Sequence, residues 1–169
     1  VEEGLVPPDS VLAQRAGGQP LKEEESTNYS VGFTAELNDR TNLTIDFYHI
    51  EVEDRIYRTG DIEVPASDDP NEAQLVPISF YTNALDVEHQ GLDLVYTQSV
   101  EWERAETRLT FAYNYNTIDV TGQTLVNNIA PVGEDIVEDI ENNYPEHRFV
   151  ATAVTDFGDY FQFMLRANY

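Results

Sequence analysis

The chain has 169 residues, with 32 acidic and 9 basic side chains and a formal net charge of -23. Such a charge repels phosphate backbones, so we expect no nucleic-acid partner. The absence of cysteine excludes disulfides, thiolate metal sites and cysteine nucleophiles. No run approaches the roughly 18 apolar residues of a membrane-spanning helix, but a membrane-spanning strand needs only about 9–11 residues of alternating character.

Apolar residues recur with a period of two along most of the chain, which predicts strands rather than helices. Tyr29, Val31 and Phe33 alternate with small or polar residues, and Leu43, Ile45 and Phe47 repeat the pattern. After Phe47 the apolar set changes phase, and this predicts a β-bulge near Phe47 and Tyr48. In chain order, strands are predicted near 27–38, 43–58, 78–100, 107–119, 147–157 and 160–169.

The connections between these strands alternate between short and long. Residues 38–42, 101–107 and 158–159 form short turns, whereas the connections near 58–77 and 120–146 are long and acidic. In a transmembrane barrel the short turns lie at one end and the long loops at the other. A soluble sandwich has no reason to separate its connections in this way.

Two further segments belong with the long loops. The leading segment, 1–25, contains Pro7-Pro8 and Gly17-Gly18, which predict an irregular loop on the long-loop side. Within the second long loop, Ile136, Val137 and Ile140 lie among acidic residues at near-helical spacing. A short amphipathic helix is therefore predicted within 129–142.

Two segments connect this pattern with a known family. Residues 21–33, LKEEESTNYSVGF, resemble a strand opening of TonB-dependent outer-membrane receptors, with Glu23 in place of the usual proline. Residues 80–94, FYTNALDVEHQGLDL, resemble a second strand of that family. Shorter matches follow in the same order at 112–116, 145–148 and 167–169.

Particular residues in the second of these segments have a physical interpretation of their own. Asn83, Gln90 and Asp93 are strand polar residues that can project into a hydrated lumen. Gly91 removes a side chain where a barrel strand bends or where a neighbour approaches closely.

The resemblance implies an all-β fold, an antiparallel meander of about six strands that forms a segment of a transmembrane β-barrel. We expect a loop over 1–25 and barrel strands over 26–169, with long loops near 60–77 and 120–146. Because the chain begins at Val1 without methionine and ends inside a predicted strand, we expect it to be part of a longer receptor.

The function that the resemblance implies is active uptake of a scarce nutrient, such as a ferric siderophore, cobalamin or a glycan, at the outer membrane of a Gram-negative bacterium. The implied partners are outer-membrane lipid, the small nutrient, and TonB in the intact receptor, which acts through a plug that no segment of this sequence matches. No cofactor is expected.

The sequence predicts neither a catalytic nor a metal site. Paired carboxylates are expected by coincidence among 32 acidic residues, and His49, His89 and His147 lack zinc-motif spacing. The candidate functional residues are instead carboxylates of the two long loops. Loops of this length are uncommon unless they are functional or disordered. The candidate carboxylates are Asp68, Asp69, Glu134, Asp135 and Asp139. A solvated acidic surface without a ligand is the simpler alternative.

A second interpretation is a soluble or cell-surface antiparallel β module with acidic, calcium-binding loops. The two interpretations differ in what covers the apolar phase of the strands. A membrane barrel exposes that phase to lipid, whereas a soluble module buries it in a single packed core.

Overall fold

A computed structural model describes residues 4–67 and 74–169. Over these residues the chain forms nine strands and two helices. The strands are β1 (Gly4–Leu5), β2 (Glu25–Asn38), β3 (Thr41–Arg58), β4 (Ile62–Pro65), β5 (Leu75–Ser79), β6 (Tyr81–Glu101), β7 (Glu106–Gln123), β8 (His147–Asp156) and β9 (Gln162–Asn168). The helices are α1 (Val11–Arg15) and α2 (Glu134–Asn142).

Six of the strands form one antiparallel sheet in the order β2-β3-β6-β7-β8-β9. Neighbours in this sheet follow one another along the chain, apart from the excursion through β4 and β5 between β3 and β6. The predicted fold class, an all-β meander of about six strands, is confirmed. The short strands β1, β5 and β4 form a separate sheet, in which β1 pairs parallel with β5.

The chain divides into two compact units. The turn unit comprises Asn28–Ile50, His89–Thr117 and Tyr144–Tyr169, and it contains the three short turns. The loop unit comprises Val1–Thr27, Glu51–Glu88 and Ile118–Asn143, and it contains the long connections and both helices. The long strands β2, β3, β6 and β7 contribute residues to both units.

One face of the turn unit is apolar. The register places Phe111 opposite Ala151 and Tyr113 opposite Phe149, and Ala151 in turn opposite Ala167. Paired residues project to the same side of a sheet, so the apolar residues of three strands share one face. This resolves β8, whose sequence pattern is ambiguous, because Phe149, Ala151 and Ala153 join the apolar residues of β7.

The opposite face of the turn unit is polar. Thr110, Thr152 and Arg166 lie in one row across β7, β8 and β9. Asn114 lies opposite Arg148 and donates a hydrogen bond from Nδ2 to Oδ1 of Asp93 at 2.7 Å. Arginine and carboxylate side chains therefore project from the face opposite to the apolar one.

A glycine allows a tyrosine to lie across this polar face. A Cβ on Gly91 would collide with the phenol of Tyr48 and would lie 2.6 Å from the carbonyl oxygen of Tyr115. The Tyr48 hydroxyl passes over the glycine and donates to Oδ1 of Asn116 at 3.1 Å. The predicted close approach at Gly91 is therefore confirmed.

The buried hydrophobic clusters of the described residues both lie in the loop unit. In the first, Ala13 of α1 and Ala16, its C-cap, pack with Val64, Ile78 and Phe80. In the second, Ala84, Leu85 and Val87 of β6 pack with Val132, and Val137 and Ile140 of α2 cover them. The long connections are therefore packed structure over the described ranges.

The structure corrects the prediction for the leading segment, which contains α1 rather than an irregular loop throughout. Ser10 caps this helix by accepting from the Ala13 amide at 3.2 Å. Gly17 ends it with φ +93°, and the Gly18 amide donates to the carbonyl oxygen of Ala13 at 2.7 Å. Proline and glycine, which suggested an irregular loop, here flank a short capped helix.

Other features differ in detail from the predictions. The run predicted over 78–100 is divided into β5 and β6 at the buried Phe80, whose amide donates to Oγ1 of Thr59 at 3.2 Å. Helix α2 begins only after Gly133, its N-cap. In β3, the residue with left-handed backbone is Asp54, at φ +55°.

Candidate ligand-binding cleft

The left-handed residue Asp54 organises one end of β3. Such a residue interrupts regular strand pairing, and its backbone groups then need other partners. Side chains supply them. Oδ1 of Asp86 accepts from the Asp54 amide at 3.0 Å, and Nδ2 of Asn83 donates to the Asp54 carbonyl at 2.6 Å. Two residues after Asp54, the amide of Ile56 donates to Oε1 of Glu24 at 2.6 Å.

Asn83 also holds the leading segment against the sheet. Its Oδ1 accepts from the Lys22 amide at 2.8 Å, and its Nδ2 donates to the Lys22 carbonyl at 3.1 Å. Nζ of Lys22 lies 3.8 Å from Oδ2 of Asp54. Asn83 is 8% exposed and fully engaged with backbone. It is thus a connector between the two family-like segments, and not the lumen-facing polar residue that the sequence suggested.

Beyond this point β3 borders a cleft of about 730 Å³ within the loop unit. Six of its twelve lining residues are charged or tyrosine, and the start of α2 forms part of the lining. The lining residues are Arg55, Ile56, Tyr57, Arg58, Thr59, Gly60, Asp61, Tyr81, Val132, Gly133, Asp135 and Ile136.

Contacts within the loop unit hold the lining in place. Nε of Arg58 donates to Oγ of Ser79 at 3.0 Å, and the Gly60 amide donates to the carbonyl of Pro131 at 2.8 Å. The second of these contacts joins the end of β3 directly to the segment that leads into α2. Both walls of the cleft are therefore tied by hydrogen bonds.

Helix α2 is positioned by its apolar side and by a hydrogen bond near its end. Val137 and Ile140 pack against the second cluster, where Ile118 and Val120 also lie. Oε1 of Glu141 accepts from the Val120 amide at 2.9 Å. The acidic residues Glu134 and Asp135 occupy the first turn, where the helix dipole favours negative charge.

The structure brings one of the predicted functional residues to the cleft. Asp135 lines it, whereas Glu134 and Asp139 lie on the same helix outside the lining. Asp68 and Asp69 lie outside the described residues. Among the residues that the structure describes, no group of three or more His, Cys, Asp or Glu side chains is placed to hold a metal ion.

Sequence reasoning missed Arg55, Tyr57, Arg58 and Tyr81. A signal was present, because the segment DRIYR at 54–58 contains two of the nine basic residues in a strongly acidic chain. Tyr81 carried no such signal, since only the break at Phe80 brings it to the cleft.

The turn unit defines the class of protein. Its apolar face is uncovered: Val31 is 68% exposed, Phe33 62% and Leu165 62%. The β7–β8 ladder runs from Glu106 opposite Asp156 to Tyr115 opposite His147. Its ten pairs match the roughly 9–11 residues with which a strand crosses a bilayer.

Aromatic residues mark both ends of this ladder. Trp102, Phe157 and Phe161 lie at the turn end, where the rings of Phe157 and Phe161 stack at 4.5 Å. At the other end the ring of Tyr113 lies 4.7 Å from that of Phe149. An apolar band between two aromatic belts, with a polar opposite face, is the pattern of a transmembrane β-barrel wall.

Comparison with known proteins agrees with that class. The family model described as "TonB dependent receptor-like, beta-barrel" matches residues 4–169. The chain therefore belongs to this family, whose members are outer-membrane receptors for transport and not enzymes. No curated protein and no solved structure matches the chain. Over the described residues, no helix has the length and apolar character needed to cross a membrane.

Proposed function

We propose that the intact receptor imports a scarce small nutrient across the outer membrane, and that the loop unit faces the medium and receives it. Family membership supports the transport role. The single observation that carries the rest is the contrast between the units. The loop unit contains the buried clusters, whereas the turn unit exposes an apolar face that bilayer lipid would cover.

The energy for import would come from TonB, as in the family generally, through a plug domain of the intact receptor. The polar face of the turn unit supports this arrangement. Arg148 and Arg166 project from that face, and each would cost about 2–4 kcal/mol if it faced the middle of the bilayer. The polar face would therefore line the lumen in which a plug resides.

The acidic loops would serve the capture of substrate. Asp68, Asp69, Glu134, Asp135 and Asp139 belong to a chain of net charge -23. Such a field raises the association rate of a cationic or metal-bearing substrate, and salt weakens the effect because it screens the charges. This role rests on charge and position, and a ferric siderophore is one substrate with the required chemistry.

The test uses the intact receptor in cells. The loops 60–77 and 122–144 are deleted in turn, and assembly of the barrel is checked by its migration without heating. We expect each deletion to reduce surface binding and uptake of the native nutrient. Uptake that survives both deletions would place the substrate site outside the loop unit.

A second experiment isolates the charges. Glu134→Gln combined with Asp139→Asn should lower the association rate at low salt and have a smaller effect at high salt. Glu103→Gln, in the short turn between β6 and β7, is the matched control and should leave the rate unchanged. An association rate that is unchanged by the two loop substitutions would contradict the role of these carboxylates in substrate capture.

A further inference from the structure

The cleft contains charged groups of both signs that do not neutralise one another. Arg55 and Arg58 line it together with Asp61 and Asp135. Over residues 4–67 and 74–169, no carboxylate forms an ion pair with either guanidinium, and no basic group does so with either aspartate. In a chain with 32 acidic residues, two arginines of one cleft that form no ion pair with a described residue are a specific feature.

We propose that this cleft binds a zwitterionic small molecule, with a carboxylate and an ammonium group, such as a short peptide with free ends. The inference goes beyond the proposed function, because it gives the cleft a ligand of its own beside the cationic or metal-bearing nutrient that the acidic loops would attract. The guanidinium groups would hold the carboxylate, for which their planar donor fork is suited. Asp61 and Asp135 would accept from the ammonium group.

A ligand with both charges can pair with every charged side chain of the cleft. A simple anion would pair only with the two arginines, and a simple cation only with the two aspartates. Arg58, Asp61 and Asp135 are exposed, so each pair contributes modestly, and the ligand that forms the most pairs binds best. The net charge of such a ligand is also zero, so the acidic chain does not repel it as a whole.

The remaining lining suits the body of such a molecule. Tyr57 and Tyr81 provide flat, partly apolar surfaces with hydroxyl groups, and Val132 and Ile136 add aliphatic surface. A cleft of about 730 Å³ lies within the size range of sites for small molecules. Size and lining therefore agree with a ligand of a few residues.

The test measures binding to the full-length receptor in detergent by isothermal titration calorimetry. The probes are the tripeptide Gly-Tyr-Gly with free ends, its N-acetylated form, its C-amidated form and the doubly blocked form. We expect the free tripeptide to bind most tightly and each single block to weaken binding about two- to fivefold, because each removes contacts with exposed charged side chains. Equal binding of all four forms, or no binding of the free form at millimolar concentration, would overturn the proposal.

Substitutions assign each charge to its partner. In Arg55→Gln/Arg58→Gln the preference for the free carboxylate over the amide should disappear, while the preference for the free amine remains. Asp61→Asn/Asp135→Asn should show the reverse. Glu138→Gln, on α2 but outside the lining, is the control and should keep both preferences. Loss of both preferences in either double variant, with the fold intact by circular dichroism, would refute the assignment.

This outcome is separable from that of the proposed function. Uptake of the native nutrient in cells reports on transport, whereas calorimetry reports on the cleft alone. If uptake persists in a receptor that ignores all four peptides, the zwitterion proposal fails and the transport role stands. If the receptor binds the free tripeptide but transports nothing in cells with active TonB, the transport role fails.

Discussion

The side chain of Asn83 forms two hydrogen bonds with the backbone of Lys22, 61 residues earlier in the chain, and so imitates a paired strand. A third bond, from the same Nδ2, reaches the carbonyl of Asp54. One amide thus joins the leading segment, β3 and β6, which are otherwise separate in sequence. Both family-like segments of the chain meet at this contact.

Asn83→Ala should release the leading segment while the six-stranded sheet persists. The change leaves an amide and two carbonyl groups without these partners, and each unsatisfied buried group costs about 1–3 kcal/mol. Hydrogen exchange of residues 20–24 in the intact receptor should therefore accelerate at least about tenfold. Gln90→Ala, on the same strand, is the control, and equal acceleration in both variants would contradict the connector role.

Gly91→Ala should destabilise the barrel. The added methyl would collide with the Tyr48 phenol and press on the Tyr115 carbonyl, which is backbone and cannot rotate away. Overpacking of this kind typically costs about 1–3 kcal/mol. The measurement is the midpoint of unfolding in urea with lipid vesicles.

The matched variant for this position is Tyr48→Phe, which keeps the ring and loses only the hydrogen bond to Asn116, at about 0.5–1.5 kcal/mol. If Gly91→Ala is no more destabilising than Tyr48→Phe, the close approach at Gly91 does not contribute to the free energy of unfolding.

Ala151 and Thr152 are adjacent in β8 and lie on opposite faces of the turn unit. Ala151 shares a row with Phe111, and Thr152 shares a row with Arg166. Ala151→Arg should cost about 2–4 kcal/mol in a bilayer because the new charge faces lipid, whereas Thr152→Arg should cost much less. Reversible unfolding from vesicles gives both values, and equal costs would show that the apolar face does not contact lipid.

Helix α2 should be ordered without any ligand. Val137→Ala and Ile140→Ala together remove aliphatic contacts with the second cluster, and we expect hydrogen exchange over 134–142 to accelerate strongly. Glu138→Gln should leave the exchange unchanged. Rapid exchange of this segment already in the unaltered receptor would mean that the helix is not stably packed.

Much of the sheet was predictable because its physics is local. Alternation at Tyr29, Val31 and Phe33 follows directly from the pleat, and short and long connections alternate visibly in the sequence. The helix in the second long loop was predictable from the spacing of Val137 and Ile140. Its start was not, because Gly133 acts as an N-cap without a side chain to signal it.

The cleft was not predictable from local patterns. Acidic residues drew attention to the loops, but Asp135 reaches the cleft only because α2 packs on β6 and β7 residues. Arg55 and Arg58 precede a connection whose path depends on the long-range contact of Gly60 with Pro131. The left-handed residue Asp54 is stabilised by side chains 29 to 32 residues away, so no short window contains the reason for it.

The network at Asp54 also implies an order of assembly. Its partners Asn83 and Asp86 belong to β6, so these bonds require that β6 has already reached β3. Docking of Lys22 depends on the same Asn83 side chain and closes a separation of 61 residues. Contacts between residues so far apart in the chain form late. Closing the intervening loop costs conformational entropy before the contact contributes any free energy. A protease added early during refolding should therefore cut the leading segment while the β8–β9 hairpin, whose paired residues are close in sequence, is already resistant.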